Sequence, residues 1–151
     1  MEYKKASLTS DIVICFLNEK NRNIEILLAQ RKNEPFINKF AIPGGFVDLN
    51  NNETFIDAAV RELKEETGLN VSKESLNFFK VCDKPNRDPR GRVVSSVFYM
   101  ITRESYIKEK IKAGDDAINA QWFDIEKLPS LAFDHEEILK ELINHIFFLR
   151  R

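Results

Sequence analysis

Two runs of consecutive apolar residues near the start of the chain are separated by a polar turn. Asp11 to Leu17 (DIVICFL) and Ile24 to Ala29 (IEILLA) are rich in β-branched residues, and the turn NEKNRN lies between them. This pattern predicts a β-hairpin whose strands are largely buried. Three later segments predict further strands of one substantial sheet: Leu76 to Cys82, Val93 to Thr102 and Ala120 to Phe123.

Two other segments have apolar residues at helical spacing and carry start signals. Thr54 followed by Asp57 has the pattern of a capping box, and Gly68 follows as a stop, so a helix is predicted from Phe55 to Thr67. Asp134, with a glutamate three residues later, repeats the capping-box pattern before HEEILKELINHIFFL. We expect this second helix to close the domain by packing on the sheet.

Composition limits the class of protein. A chain of 151 residues with 43% hydrophobic residues is expected to fold as a single domain spanning 1–151. Its 23 basic and 24 acidic residues give a net charge of -1, so we expect no nucleic-acid or membrane partner, and any anionic ligand must be held locally. Cys15 and Cys82 lie in apolar runs without metal-ligand spacing, and no signal peptide precedes them, so a cytoplasmic location is expected.

The first predicted helix places several acids together. At about 100° per residue, Glu62 and Glu66 lie within about 40° of each other at the edge of the apolar face, with Glu65 on the adjoining flank. Like charges at this spacing repel, so a compensating positive charge is expected. Arg61 and Lys64 could supply it on a solvated surface helix, or a bound Mg²⁺ or Mn²⁺ could supply it. Spacing alone leaves both interpretations open.

The residues around these acids resemble the signature of the Nudix hydrolase family, G-x5-E-x7-R-E-U-x-E-E-x-G-U, where U is aliphatic. The run GGFVDLNNNETFIDAAVRELKEETGL matches every fixed position from Glu53 onward. The glycine departs from the pattern, because Val47 stands where the signature has glycine and Gly45 lies two residues earlier. We interpret this as a loop lengthened by two residues at Asp48 to Asn52.

The resemblance extends over about Thr9 to Leu139, through FAIPGGFVD, NRDPRGRVVSSVFY, AGDDA with QWF, and LPSLAFDHEEIL. These segments are similar to the Nudix branch that contains ADP-ribose pyrophosphatases and the sensor domains of nicotinamide-related transcriptional regulators. The implied fold class is α+β, an α/β/α sandwich around a mixed sheet. A homodimer is a further expectation from the family.

Resemblance to the signature implies roles for its charged residues. Glu62 and Glu66 are the expected principal ligands of Mg²⁺ or Mn²⁺, and Glu65 is a third ligand or acts through metal-bound water. Arg61 is expected to orient these acids. Glu53 supports the loop or an additional ion.

Residues outside the helix complete the expected site. Gly44 and Gly45 permit close backbone approach to phosphate or metal, although a tight turn after Pro43 would explain them equally. Asp115 and Asp116 in KAGDDA are candidates for the general base, as an alternative to solvated acids of a loop turn.

Arginines in turn-rich segments are candidates for gripping the diphosphate or the terminal ribose. Arg90 is favoured, with Arg87 beside it in NRDPRGR, and Arg31 lies just after the second strand. The alternative for each is a solvated turn. His135 is a weaker candidate because a residue after a helix cap is more often structural. Two aromatic residues, Phe36 and Phe133, are candidates for stacking on adenine, although a core role is the default for a phenylalanine.

The implied activity is metal-dependent hydrolysis of ADP-ribose to AMP and ribose 5-phosphate. One alternative is a pyrophosphatase for another nucleotide, such as a nucleotide sugar or a nucleoside triphosphate. Another is a module that senses ADP-ribose without turnover. The sensor regulators carry a DNA-binding domain after the Nudix domain, whereas this sequence ends at Arg151 after the closing helix, so we expect the enzyme.

Overall fold

The computed structural model describes residues 2–111 and 119–150. The strands and α-helices in these ranges are, in chain order, β1 (Ser7–Leu17), β2 (Ile24–Gln30), β3 (Phe40–Ala41), β4 (Gly44–Phe46), α1 (Phe55–Thr67), β5 (Asn77–Cys82), β6 (Val93–Thr102), α2 (Ser105–Glu109), β7 (Ala120–Asp124) and α3 (His135–Arg150). The predicted bounds of α1 and β6 are confirmed, and the other predicted strands are displaced at one or both ends by between one and four residues.

Within the described ranges, seven strands form one mixed sheet in the order β3-β2-β1-β6-β5, with β4 paired to β1 and β7 paired to β2. The predicted hairpin is present, because β1 and β2 pair antiparallel. β1 and β6 pair in parallel from Ser7 opposite Val93 to Phe16 opposite Thr102. β1 is therefore the central strand, and its C-terminal nine residues are all buried.

The sheet is covered on both faces, which explains why β1 and β2 are apolar at consecutive positions. On one face, Val13 and Val97 belong to the core that contains Leu139 and Leu142 of α3. On the other face, strand residues whose side chains point the opposite way, such as Ile14, pack with Leu63 and other apolar residues of α1. The predicted α/β/α sandwich of the α+β class is thus confirmed.

Helix α1 begins and ends as its sequence predicts. The Thr54 hydroxyl accepts from the Asp57 backbone N–H, and the Asp57 carboxylate accepts from the Thr54 N–H, which completes the capping box. Gly68 ends the helix in the left-handed region at φ 78°. The hydroxyl of Ser10, buried on β1, donates to the Phe55 carbonyl at 2.6 Å. The first turn of α1 is therefore fixed to the central strand.

The predicted capping box at the start of α3 is wrong. The Asp134 carboxylate accepts hydrogen bonds from Arg87, and the Glu137 carboxylate pairs with Lys84, so neither acid caps the helix. Three short elements, β3, β4 and α2, also had no prediction. Their two to five residues are too few to produce a recognisable periodic pattern.

Both cysteines are free thiols in the buried interior, as the apolar runs around them indicated. Burial raises the pKa of Cys15 to about 12 and is the largest cause that raises the pKa of Cys82 to about 11. Neither thiol is therefore activated as a nucleophile. Among the helices in the described part of the chain, none is long and apolar enough to cross a membrane.

Candidate functional site

A cleft of about 460 Å³ opens where β4 and α1 face the loops that precede β6 and α3. One wall carries the α1 acids Glu62, Glu65 and Glu66. The opposite wall carries Arg31, which follows β2, and Arg90, which lies before β6. The cleft therefore places carboxylates opposite guanidinium groups, so it can hold a cation and an anion side by side.

On the acidic wall, Glu62 and Glu66 are partly buried whereas the side chain of Glu65 is 58% exposed. Glu66 Oε2 accepts a hydrogen bond from the Gly44 backbone N–H at 3.2 Å. Burial, followed by the charge of Glu62, raises the pKa of Glu66 to about 8. Burial also raises the pKa of Glu62, although hydrogen bonding to Arg61 opposes this shift. Ionising both acids at this partly buried position is therefore unfavourable.

Arg61 ties the acids of this region together from the adjacent side of α1. Its Nη1 donates to Glu62 Oε1 at 2.8 Å and to Glu65 Oε2 at 3.2 Å. Its Nε and Nη2 donate to the two carboxylate oxygens of Glu53, and Nη2 also donates to the Phe46 carbonyl. Arg61 is thus placed to orient Glu62 and does not line the cleft itself.

Gly44 and Gly45 bring backbone close to the acids. A Cβ atom on Gly45 would lie 2.5 Å from both Cδ and Oε1 of Glu62. A Cβ atom on Gly44 would overlap Asp11 Oδ1 and the Ser10 carbonyl on β1. The two glycines therefore serve close approach of carboxylates to backbone, in addition to any turn after Pro43.

The donor chemistry of this wall fits a hard divalent cation. Glu62 and Glu66 can supply oxygen ligands from one rigid helix, and burial is the largest cause that raises the pKa of each. Within residues 2–111 and 119–150, no three His, Cys, Asp or Glu side chains already form a metal-binding cluster.

The lengthened loop before α1 folds into a compact turn. Leu49–Asn51 forms one turn of 3₁₀ helix, and the Asp48 carboxylate caps it by accepting from two backbone N–H groups. Val47, which replaces the signature glycine, is buried. Glu53 Oε1 accepts from the Asp48 backbone N–H at 2.8 Å, so the loop closes in front of Glu53. The additional residues leave the Glu53 contact with Arg61 in place.

The basic wall is built on aromatic rings. Arg31 Cζ lies 4.9 Å from the centre of the Phe133 ring, and Arg90 Cζ lies 5.5 Å from the same ring and 5.0 Å from that of Phe46. The Asp88 carboxylate, buried below the wall, accepts from Arg90 Nε at 3.1 Å and from Nη2 at 2.8 Å. The arginines are thus oriented before any ligand arrives.

Arg87, a sequence-based candidate for substrate contact, lines the cleft but is held in an ion pair. Its side chain is only 4% exposed, and its Nε and Nη2 donate to Asp134 at 3.0 and 2.9 Å. This buried ion pair fastens the start of α3 to the loop before β6. Phe36 packs edge-on against Phe133 at 4.9 Å between ring centres and does not line the cleft.

His135 lies at the cleft floor and is 4% exposed. Its Nδ1 accepts from the Ile42 backbone N–H at 3.0 Å, which fixes the neutral tautomer with the proton on Nε2. Burial is the main cause that lowers the pKa of His135. This geometry assigns the histidine a structural contact with the backbone between β3 and β4.

The two candidates for the general base, Asp115 and Asp116, lie outside the described residues. Asp11, Asp88 and Phe46 are among the cleft-lining residues that sequence reasoning missed. Asp11 had a signal, since an acid in an apolar strand must find a partner, here the Ser95 hydroxyl at 2.6 Å. Asp88 and Phe46 had no local signal that separates them from ordinary loop residues.

Two curated proteins have sequences similar to this chain. An ADP-ribose pyrophosphatase from Methanocaldococcus jannaschii is 51% identical over 117 residues, covering 78% of this chain and 64% of that protein. The ADPR responsive transcriptional repressor NtrR from Acinetobacter baylyi is 29% identical over 142 residues, covering 93% of this chain and 54% of that protein. The chain therefore spans between about half and two thirds of the length of these curated relatives.

A solved structure and a family model agree on the fold. The crystal structure of a mutT/nudix family protein from Listeria innocua superposes with a TM-score of 0.78 at 38% sequence identity, covering 99% of this chain and 100% of that chain. The family model described as NUDIX domain matches residues 8–145. The chain therefore belongs to the NUDIX domain family.

Proposed function

We propose that this protein is a Mg²⁺- or Mn²⁺-dependent pyrophosphohydrolase that converts ADP-ribose to AMP and ribose 5-phosphate. The observation that carries the proposal is the cleft with carboxylates on one wall and arginines on the other. A diphosphate bridged to a divalent cation presents both charges that such a cleft can bind. The likeness to an ADP-ribose pyrophosphatase supports the choice of substrate.

Glu62 and Glu66 would hold the cation, with Glu65 as a third ligand or a carboxylate acting through water, and Gly45 beside them. A bound divalent ion would neutralise diphosphate charge and acidify the attacking water. Arg61 orients Glu62 through the 2.8 Å hydrogen bond. Glu53 in turn fixes Arg61, because it accepts from Nε and Nη2 of that guanidinium.

The protein residues opposite the acids would position the substrate. Arg31 and Arg90 would donate hydrogen bonds to the diphosphate or to the terminal ribose, and the Gly44 backbone keeps the approach open. Arg87 would contribute through its ion pair with Asp134, which holds the loop that carries Arg90. Asp115 or Asp116 remains our proposal for accepting the proton of the attacking water.

The direct test is a metal-supplemented activity screen across ADP-ribose, nucleotide sugars, dinucleotides and nucleoside triphosphates. We expect ADP-ribose to be the best substrate and chelation of the metal to abolish turnover. Glu66→Gln should remove most turnover while its melting curve remains cooperative. Glu141→Gln is the matched control, because Glu141 pairs with Lys80 on the surface away from the cleft. Unchanged activity in Glu66→Gln would contradict the metal assignment.

A second candidate is an ADP-ribose sensor without turnover, which the likeness over 93% of the chain to an ADPR responsive repressor favours. The complete set of signature acids favours the enzyme instead. Prolonged incubation of ADP-ribose with protein and metal, followed by chromatography of the nucleotides, separates the two. Saturable binding with no AMP formed would establish the sensor.

A further inference from the structure

The ring of Phe133 contacts both arginines of the cleft. Arg31 Cζ lies 4.9 Å and Arg90 Cζ 5.5 Å from its centre. The two arginines come from different loops, one after β2 and one before β6. The negatively polarised face of an aromatic ring attracts guanidinium groups at this range. Phe133 is therefore the feature that the two cationic side chains share.

The guanidinium groups of Arg31 and Arg90 repel each other, so another group must compensate their charges. Burial, followed by the charge of Arg90, lowers the pKa of Arg31, although Glu66 and other acids act in the opposite direction. Asp88 balances part of the Arg90 charge through its two hydrogen bonds. An arrangement that holds like charges together in a partly buried cleft is favourable only when an anion or a ring face compensates them.

Each guanidinium is anchored through only some of its N–H donors. Arg31 Nε donates to the Pro35 carbonyl at 2.7 Å, and Arg90 uses Nε and Nη2 on Asp88. Among the residues that the structure describes, Nη1 and Nη2 of Arg31 and Nη1 of Arg90 make no hydrogen bond. Anchored arginines with such donors can grip a phosphate oxygen from two sides.

The backbone of Phe133 is held in a strained conformation that aims the ring. Its φ is 53°, in the left-handed region that bulky side chains rarely adopt. Both neighbours are fixed: the Ala132 N–H donates to the Phe40 carbonyl at 2.9 Å, and Asp134 is paired with Arg87. Strain of this kind persists where the surroundings over-determine it, and it concentrates at functional sites.

We propose that Phe133 is a positioning residue whose ring holds Arg31 and Arg90 together as a two-arginine clamp for the diphosphate of the substrate. This inference rests on the proposed function for the identity of the reaction. The clamp itself concerns diphosphate binding, which can be measured without hydrolysis. Phe133 then acts through the arginines and takes no part in the chemical step. Loss of its ring should weaken ground-state binding and leave kcat nearly unchanged.

The test compares Phe133→Leu, Phe133→Tyr and Phe123→Leu. Leucine removes the ring face and keeps an apolar side chain, whereas tyrosine keeps the ring. Phe123 is the matched control, because it is also half-buried and packs edge-on against Phe40 at 4.9 Å, and no cation–π contact to its ring occurs among the side chains that the structure describes. Binding of inorganic pyrophosphate is measured by calorimetry in metal-free, low-salt buffer, and kcat and KM are measured with ADP-ribose and Mg²⁺.

We expect Phe133→Leu to raise the pyrophosphate Kd and the ADP-ribose KM about tenfold with kcat within about twofold. Phe133→Tyr and Phe123→Leu should have the same pyrophosphate Kd, ADP-ribose KM and kcat as the parent protein. Equal increases of Kd and KM in Phe133→Leu and Phe123→Leu would overturn the clamp. Absence of pyrophosphate binding by the parent protein would also overturn it. Failure to hydrolyse ADP-ribose, with the pyrophosphate pattern intact, would overturn the proposed function and leave the clamp standing.

Discussion

Arg61 and Glu53 form a two-point ion pair, with Arg61 Nε 2.6 Å from Glu53 Oε2 and Nη2 2.9 Å from Oε1. The pair joins α1 to the loop that follows β4. This hydrogen bonding is the largest cause of the lowered pKa of Glu53. Because the additional loop residues fold into the turn Leu49–Asn51, the two side chains meet although the loop is longer than the family signature.

Arg61→Lys should impair activity more than stability. A lysine ammonium has three donors on a single nitrogen, so it cannot reproduce the five hydrogen bonds that Nε, Nη1 and Nη2 of Arg61 make. We expect kcat/KM to fall roughly 10- to 100-fold, as for other residues that orient metal ligands, with a loss of about 1 kcal/mol in the free energy of unfolding. Steady-state kinetics and urea titration measure the two quantities.

Glu53→Gln provides the graded control, because glutamine keeps one acceptor oxygen for Arg61 and loses the charge. Its activity should lie between those of the parent protein and Arg61→Lys. Full activity in Arg61→Lys would show that the position of Glu62 does not depend on the guanidinium.

Gly45→Ala should reduce activity more than stability, whereas Gly44→Ala should reduce stability. The added methyl at position 45 would lie 2.5 Å from the Glu62 carboxylate, so the carboxylate must move. A displacement of about 1 Å at a reacting site can reduce turnover about 100-fold. We therefore expect Gly45→Ala to lose activity in steady-state assays, with a change of no more than about 1 kcal/mol in stability.

At position 44 the added methyl would overlap backbone of β1, at the Ser10 carbonyl and Asp11 Cα, and backbone cannot rotate away. Gly44→Ala should therefore weaken the pairing of β1 with β4 and cost about 1 to 3 kcal/mol in chemical denaturation. The reverse pattern, an unstable Gly45→Ala beside a stable Gly44→Ala, would contradict this account of the two glycines.

The elements that the sequence predicted are those with local signals. β6 has a long apolar run, and α1 has a capping box and a terminal glycine, so their bounds follow from neighbouring residues. The apolar run in β1 predicted the end of that strand but not its first four residues. β3 and β4 contain two and three residues and exist because they pair with β2 and β1. Asp134 shows the same limit, since its tertiary contact with Arg87 replaced the local cap that its spacing indicated.

The candidate site shows the same difference between residues with a local signal and residues placed by tertiary contacts. The acidic wall could be predicted because Glu62, Glu65 and Glu66 share one helix, whose geometry fixes their relative directions. The basic wall could be predicted only as a set of candidate arginines, because Arg31 and Arg90 meet through the ring of a residue distant in sequence. Their positions depend on loop conformations for which hydrophobic periodicity carries no information.

His135 should make stability depend on pH below neutrality. Burial, which outweighs the charges of Asp11 and Asp134, lowers its folded-state pKa below the ordinary 6.5. Above pH 6.5 the imidazole is neutral in both states, so the His135 contribution to stability is fully present. As the pH falls below 6.5, the unfolded chain binds a proton before the folded protein does, and this contribution is lost.

His135→Asn removes this titration and keeps an acceptor for the Ile42 N–H. The stability difference between the parent protein and His135→Asn should therefore shrink in urea titrations as the pH falls from 7.5 to 5. His135→Ala leaves that N–H without an acceptor and should cost about 1 to 3 kcal/mol at neutral pH. A difference between the parent and His135→Asn that does not change with pH would exclude a buried neutral histidine.

Arg87 should matter for stability more than for substrate affinity. Its pair with Asp134 is buried, so Arg87→Met leaves an uncompensated carboxylate at the start of α3. Breaking a buried pair from one side costs about 3 to 5 kcal/mol. The double variant Arg87→Met with Asp134→Leu should recover part of that loss, because neither charge is then left alone. Urea unfolding of the two single variants and the double variant measures the coupling.

Arg90→Met is the matched comparison, because Arg90 is 39% exposed in its side chain and faces the cleft. It should raise the KM for ADP-ribose with a smaller loss of stability than Arg87→Met. Arg87 also lines the cleft, but its side chain is buried and its Nε and Nη2 are paired with Asp134, so we expect its main contribution to be to stability. A stable Arg87→Met with a raised KM would therefore restore the direct substrate contact that the sequence predicted.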